Sequence, residues 1–304
     1  VGAALTIHTV RSARKVELFF AGLLVGSIAL TLAALIVEGS PARLIARMAM
    51  YSRVTIGDAN PIRFGQVMSQ TVLLCVGYAM YLRSRVYILP TLAIAIIALL
   101  LAFSSGSKGP ILALIVAFLA LIFNNSNKWL RTIVVTALAI YAGVIIMREV
   151  LPADFVQTRF RLAESRSVTS RMELIAMAQN EIKEFSVPEF FLGRGSGDYG
   201  FLWGGSDGRM YPHNIFAEVG YELGFLGLIT LIIGMCIPML AALRVWRWAD
   251  FCVWPKARFF LSISTALYVF AITNAQTTGD MVSNNQIAAA GAVLLAVIRV
   301  IERL

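Results

Sequence analysis

ILPTLAIAIIALLLAFSSGSKGPILALIVAFLALIFN, residues 88–124, is two apolar runs separated by a cluster of serine, glycine and proline. Each run has almost no polar side chain, and a helix of about 20 apolar residues crosses the hydrocarbon of a bilayer. The break holds the residues that end helices and start turns. The stretch therefore reads as two membrane helices joined by a tight turn, with Lys108 at its tip.

Working outward, the same texture recurs. Apolar blocks fall at about 16–37, 65–82, 88–104, 110–124, 132–148, 214–243, 258–274 and 286–301, which gives eight candidate spans. The whole chain of 304 residues is 59% hydrophobic and only 14% charged. Soluble domains carry about 25% charged residues, so the composition excludes a soluble domain and predicts an all-α, polytopic membrane protein. Net charge is +9. No aromatic-rich basic array lies outside the spans, so nucleic acid is not the partner. Cys75, Cys236 and Cys252 have no spacing that suggests a metal or a disulfide.

Charge orients the spans. Arg11, Arg14, Lys15, Arg83, Arg85, Lys128, Arg131, Arg244, Arg247, Lys256 and Arg258 all fall on one side if the spans alternate. Short basic loops mark the cytoplasm, so both ends of the chain are expected there. Residues 1–148 then form spans one to five with an outer segment at 38–64. Residues 149–213 form the large outer loop, and 214–304 the last three spans. A helix is expected at 168–186, where Leu174, Ile175, Ala178 and Ile182 share a face, with Ser170 and Glu173 as a capping box. The turn FFLGRGSGDYGF, 190–201, follows, and is expected to carry Asp198 and Tyr199 toward an acceptor.

The outer segments break the charge rule. Arg43, Arg47, Arg53 and Arg63 lie in the first, with Arg159, Arg161, Arg166, Arg171, Arg194 and Arg209 in the second and Arg148 at its lip. Most of these are expected to pair with the loop's own acids. Guanidinium grips phosphate through two parallel hydrogen bonds and keeps its proton when partly buried. Arg63 and Lys108, both at the ends of spans, fit a phosphate-bearing lipid head group. His213, one of two histidines, stands in RMYPHNIFAEVGYELGFLG, 209–227, where a polar segment meets an apolar run. Histidine titrates near neutrality and can take a proton from an attacking hydroxyl. Asn214 is placed to cap the next helix, and Glu218 and Glu222 follow one turn apart.

HNIFAEVGYELGFLG, with His213, Asn214, Glu218, Glu222, Gly224 and Gly227, resembles the signature of the O-antigen ligase and polymerase superfamily. TSRMELIAMAQNEI with GRGSGDYGF resembles that family's arginine-led helix and glycine-rich turn, and SGSKGPILAL its hairpin. The resemblance covers roughly 60–304. It implies a C-type membrane glycosyltransferase of the bacterial inner membrane, with its site facing the periplasm. The donor is a glycan on undecaprenyl diphosphate and the acceptor a lipid A-core or another glycan. No cofactor or metal is implied, and the chain has no Asp-x-Asp pair. His213 becomes the catalytic base, and Arg63, Arg171, Arg148, Arg209 and Lys108 the diphosphate ligands, with Asn214 and Glu218 supporting. Full-length ligases of this type carry more spans than are read here, and the expectation is that the others precede Val1. A polymerase, a transferase to protein and a lipid-glycan flippase are the alternatives.

Overall fold

Backbone groups in hydrocarbon have no water to bond, so apolar runs in a membrane become helices. The computed structural model describes residues 12–38, 60–81, 85–123, 166–201, 212–249, 251–277 and 285–304. Every regular element among them is a helix. The long ones are α1 (Ala13–Glu38), α2 (Pro61–Tyr81), α3 (Arg85–Ser104), α4 (Lys108–Phe123), α5 (Arg166–Lys183), α9 (Gly224–Trp246), α10 (Ala257–Ala275) and α11 (Asn285–Glu302). Three short ones, α6 (Val187–Leu192), α7 (Asp198–Phe201) and α8 (Ile215–Glu222), lie between α5 and α9. Five helices are long and apolar enough to cross a membrane: α1, α3, α9, α10 and α11. The chain is a multi-pass membrane protein.

The helix α10 is the axis of the bundle. Its span is 67% buried, against 17% for α1 and for α9. It packs on α4, α11 and α2. Burial explains its composition, because the hydroxyls of Ser262, Ser264 and Thr265 donate to carbonyls one turn back and leave no unpaired donor in an apolar setting. The helix α2 is equally buried and carries polar Gln66, Ser69 and Thr71 inward. Its start is ordered locally: Asn60 Oδ1 accepts from the Ile62 N–H at 2.9 Å, and Pro61, whose ring presets φ, opens the helix.

Lys256 donates to Glu17 at 2.7 Å and Trp254 Nε1 to the same carboxylate at 3.0 Å. These contacts tie the start of α1 to the segment between α9 and α10. The starts of α2, α4, α8, α9 and α11 lie at the opposite end.

Several expectations are corrected. The apolar run 214–243 is two helices, broken at Leu223 and Gly224. The pair α3 and α4 is joined by a tight turn at Gly106, φ 68°, but the two diverge from it: α3 packs mainly on α2, and α4 on α10. The helix expected at 168–186 is Arg166–Lys183, and Ser170 lies inside it. The fifth span, 132–148, falls outside the described residues.

Candidate active site at one end of the bundle

The break between α8 and α9 exposes the last carbonyls of α8, which have no partner within their own helix. The glycine turn after α6 supplies one. Gly195 N–H donates to Glu222 O at 2.9 Å and Arg194 N–H to Tyr221 O at 3.3 Å. The approach is so close that side chains are barred. A Cβ at Gly193 (φ 75°) would stand 2.2 Å from Glu222 O, and one at Gly224 (φ 65°) 2.5 Å from Gly193 N. Two glycines far apart in sequence thus clasp backbone to backbone.

Side chains reinforce the clasp. Arg194 donates to Glu181 at 2.9 Å, to Glu189 at 3.2 Å and to Tyr221 Oη at 3.2 Å. Its guanidinium lies 4.8 Å from the centre of the Phe185 ring. Tyr221, fully buried, donates its hydroxyl to Asp198 at 3.0 Å and meets Tyr199 edge-on at 5.4 Å. Tyr199 donates to Leu174 O at 2.7 Å. Asp198 and Tyr199 therefore point into this packing, which differs from the expectation that they reach toward an acceptor. Arg194 is a structural ion-pair partner, as expected for most of the loop arginines. Hydrogen bonds from the Ser186 hydroxyl and N–H, helped by Arg194, hold the Glu189 carboxyl below its usual range.

The clasp fixes α8, and α8 carries His213 at its head. His213 has φ 53°, and among the described residues no other non-glycine residue has a positive φ. Such backbone is sparsely populated and costs about 1–3 kcal/mol unless its surroundings impose it. Here they do. Asn214 Oδ1 accepts from the Phe216 and Ala217 N–H groups at 3.0 and 3.1 Å, the expected cap. Ile215 and Val219 pack with Ala275 at the end of α10, and Ile287 of α11 joins them. Glu218 and Glu222, at 5% and 4% exposure, lie on the buried side of α8.

Arg63 and Lys108 share this end. Arg63 is exposed on the first turn of α2. Two residues on, Gly65 packs against the α3–α4 turn; a Cβ there would be 2.6 Å from Ser105 Oγ. Half-buried Lys108 opens α4 immediately after that turn. Arg171 lies on α5, which packs on α8; its side chain is outside the described residues, as are Arg148 and Arg209. Among the described residues no three His, Cys, Asp or Glu side chains gather as metal ligands would.

Sequence reasoning missed two features. One is the Arg194–Tyr221 clamp, whose only signal is an acid-rich helix beside an arginine in a glycine turn. The other is a hydrogen bond of 2.9 Å from Gln286 Nε2 to Gln66 Oε1, joining α11 to α2. Its signal is a glutamine in the first turns of two mainly apolar helices.

Residues 93–232 match the family profile described as O-antigen ligase. The match takes in the turn with Lys108, the clasp, His213 and all of α8. No curated protein matches the chain.

Proposed function

We propose that this chain, which carries an O-antigen ligase family domain over residues 93–232, transfers a glycan from undecaprenyl diphosphate to a lipid A-core acceptor. The location is the periplasmic face of the inner membrane, with 149–213 as the large periplasmic loop. The observation that carries this reading is His213, held at φ 53° on a capped helix at the bundle end that also bears Arg63 and Lys108.

The acceptor hydroxyl gives its proton to His213 while its oxygen bonds to the anomeric carbon. The bond from that carbon to the diphosphate oxygen breaks, and undecaprenyl diphosphate leaves with the electron pair. Arg63 and Arg171, with Arg148, Arg209 and Lys108, bind the diphosphate and stabilise its growing charge without a divalent ion. Attack comes from the face opposite the leaving group, so the configuration inverts. Asn214 and Glu218 hold the histidine's helix and its surroundings.

The family match serves a polymerase equally well, with a second lipid-linked glycan as acceptor. A product assay separates the two. Purified protein is given undecaprenyl-diphosphate glycan with and without lipid A-core, and the products are sized and their anchors identified. Glycan on lipid A-core, formed only when that acceptor is present, is the expected result. Longer glycan on undecaprenyl diphosphate would make the enzyme a polymerase. An intact bond between glycan and diphosphate in both reactions would move the reading to a flippase.

A further inference from the structure

The end of the bundle beside His213 is rich in carboxamides where apolar helices meet. Gln66 on α2 is 6% exposed, and Asn274 in the last turn of α10 is 1% exposed. Gln276 follows at the end of α10, and Gln286 lies in the first turn of α11. Gln286 donates to Gln66, and Gln276 Nε2 donates to Ile272 O at 3.3 Å. These two bonds use donors. The Oε1 atoms of Gln276 and Gln286, and the hydroxyls of Ser69 and Ser107, are buried and have no hydrogen-bond partner among the described residues. Buried polar atoms are nearly always bonded, and leaving one unmet costs about 1–3 kcal/mol. Polar side chains within a membrane bundle mark functional sites for the same reason.

The chemistry of the unmet groups selects a ligand. They are neutral, so they match neither a phosphate, which calls for cations, nor a divalent metal, which calls for carboxylates. Amides and hydroxyls both donate and accept, and that pairs with the hydroxyls of a sugar ring. Position agrees. Arg63 lies one turn before Gln66 on α2, and Gln66 bonds Gln286. The next residue, Ile287, packs on the cluster of Ile215, two residues after His213. The order along this path is cation, carboxamides, histidine.

The geometry points to a sugar subsite: Gln66, Gln276 and Gln286, with Ser69 and Ser107, bind the hydroxyls of the monosaccharide attached to the lipid diphosphate. The subsite rests on the donor class proposed above. It orders the donor so that the diphosphate lies toward Arg63 and the anomeric carbon toward His213. The preference of the enzyme for its donor sugar is set here, separately from the proton transfer.

The test is equilibrium binding to the full chain in detergent, with two radiolabelled probes: polyprenyl diphosphate and polyprenyl-diphosphate-linked monosaccharide. Wild-type protein should bind the sugar-bearing probe about tenfold more tightly, the worth of one or two net hydrogen bonds. Gln286→Met and Gln66→Met should lose that increment and keep their affinity for plain polyprenyl diphosphate within about twofold. Plain-diphosphate binding also reports that the variants are folded. The subsite is overturned if wild type shows no sugar increment, if the variants keep it, or if they weaken both probes in proportion, as a purely structural pair would. Transfer is scored separately with the acceptor added. A sugar increment without turnover defeats the transferase reading and leaves the subsite. Turnover with the increment intact in both variants does the reverse.

Discussion

Two regions flank His213, and they are held by different forces. On the side of the clasp, backbone meets backbone: Gly193 and Gly224 interlock, Gly195 bonds Glu222 O, and Arg194 ties together Glu181, Glu189 and Tyr221. On the side of α2 and α11, a glutamine pair bridges two helices whose other neighbours include α1, α3, α4, α9 and α10. The first region has almost no freedom to adjust. The second offers neutral polar groups with unused capacity. A general base must be held in place to act, whereas a sugar subsite needs groups able to turn toward different hydroxyls. The contrast suits a site with one fixed proton acceptor and an adaptable donor cradle.

The sharpest way to break this contrast is within the glycine turn. Gly193→Ala would drive a methyl into backbone atoms that cannot move aside, on top of a left-handed φ. A loss of roughly 4 kcal/mol is expected, seen as a large fall in apparent Tm in detergent. Gly195→Ala is the matched control. Its φ is 108° but nothing lies within 4 Å of the added Cβ, so about 1 kcal/mol is expected from backbone strain alone. Equal losses at the two positions would mean that interlocking is not what holds the break.

Tyr221→Phe removes one hydroxyl from the clamp and leaves Asp198 and Arg194 each short of a partner. About 2 kcal/mol should be lost in thermal unfolding. Asn214→Ala removes the cap of α8 and should cost about 1 kcal/mol. Because the cap also sets the backbone after His213, its effect on kcat should exceed its effect on Tm. The smallest effect is acid dependence. The Glu189 carboxyl is held below its ordinary value of 4.5 in the folded protein. Its contribution is therefore complete above the unfolded value and is lost as pH falls through the lower, folded one. Ser186→Ala should therefore lower Tm slightly at pH 7, where that contribution is complete, and the deficit should shrink between pH 5 and pH 3.

What could be read from the sequence followed from how local the cause is. Apolar runs make helices by themselves, so the bundle was visible, as was the Asn214 cap two and three residues from the groups it bonds. The break at Leu223 and Gly224 was hidden because hydropathy runs on through it; its cause is a turn 30 residues upstream. The capping-box pattern with a glutamate occurs twice, at Ser170 with Glu173 and at Ser186 with Glu189. The second forms, because Arg194 rewards Glu189 there and Ser170 is already inside α5. The pairing of Gln66 with Gln286 spans 220 residues and could be found only in three dimensions.

The central claim is that His213 takes the acceptor's proton. Its most direct test is the transfer rate of His213→Ala protein that inserts, and unfolds thermally, as wild type does. The account predicts a loss of about a thousandfold in kcat with donor binding nearly intact. Transfer at the wild-type rate would contradict it and take the base away from this histidine.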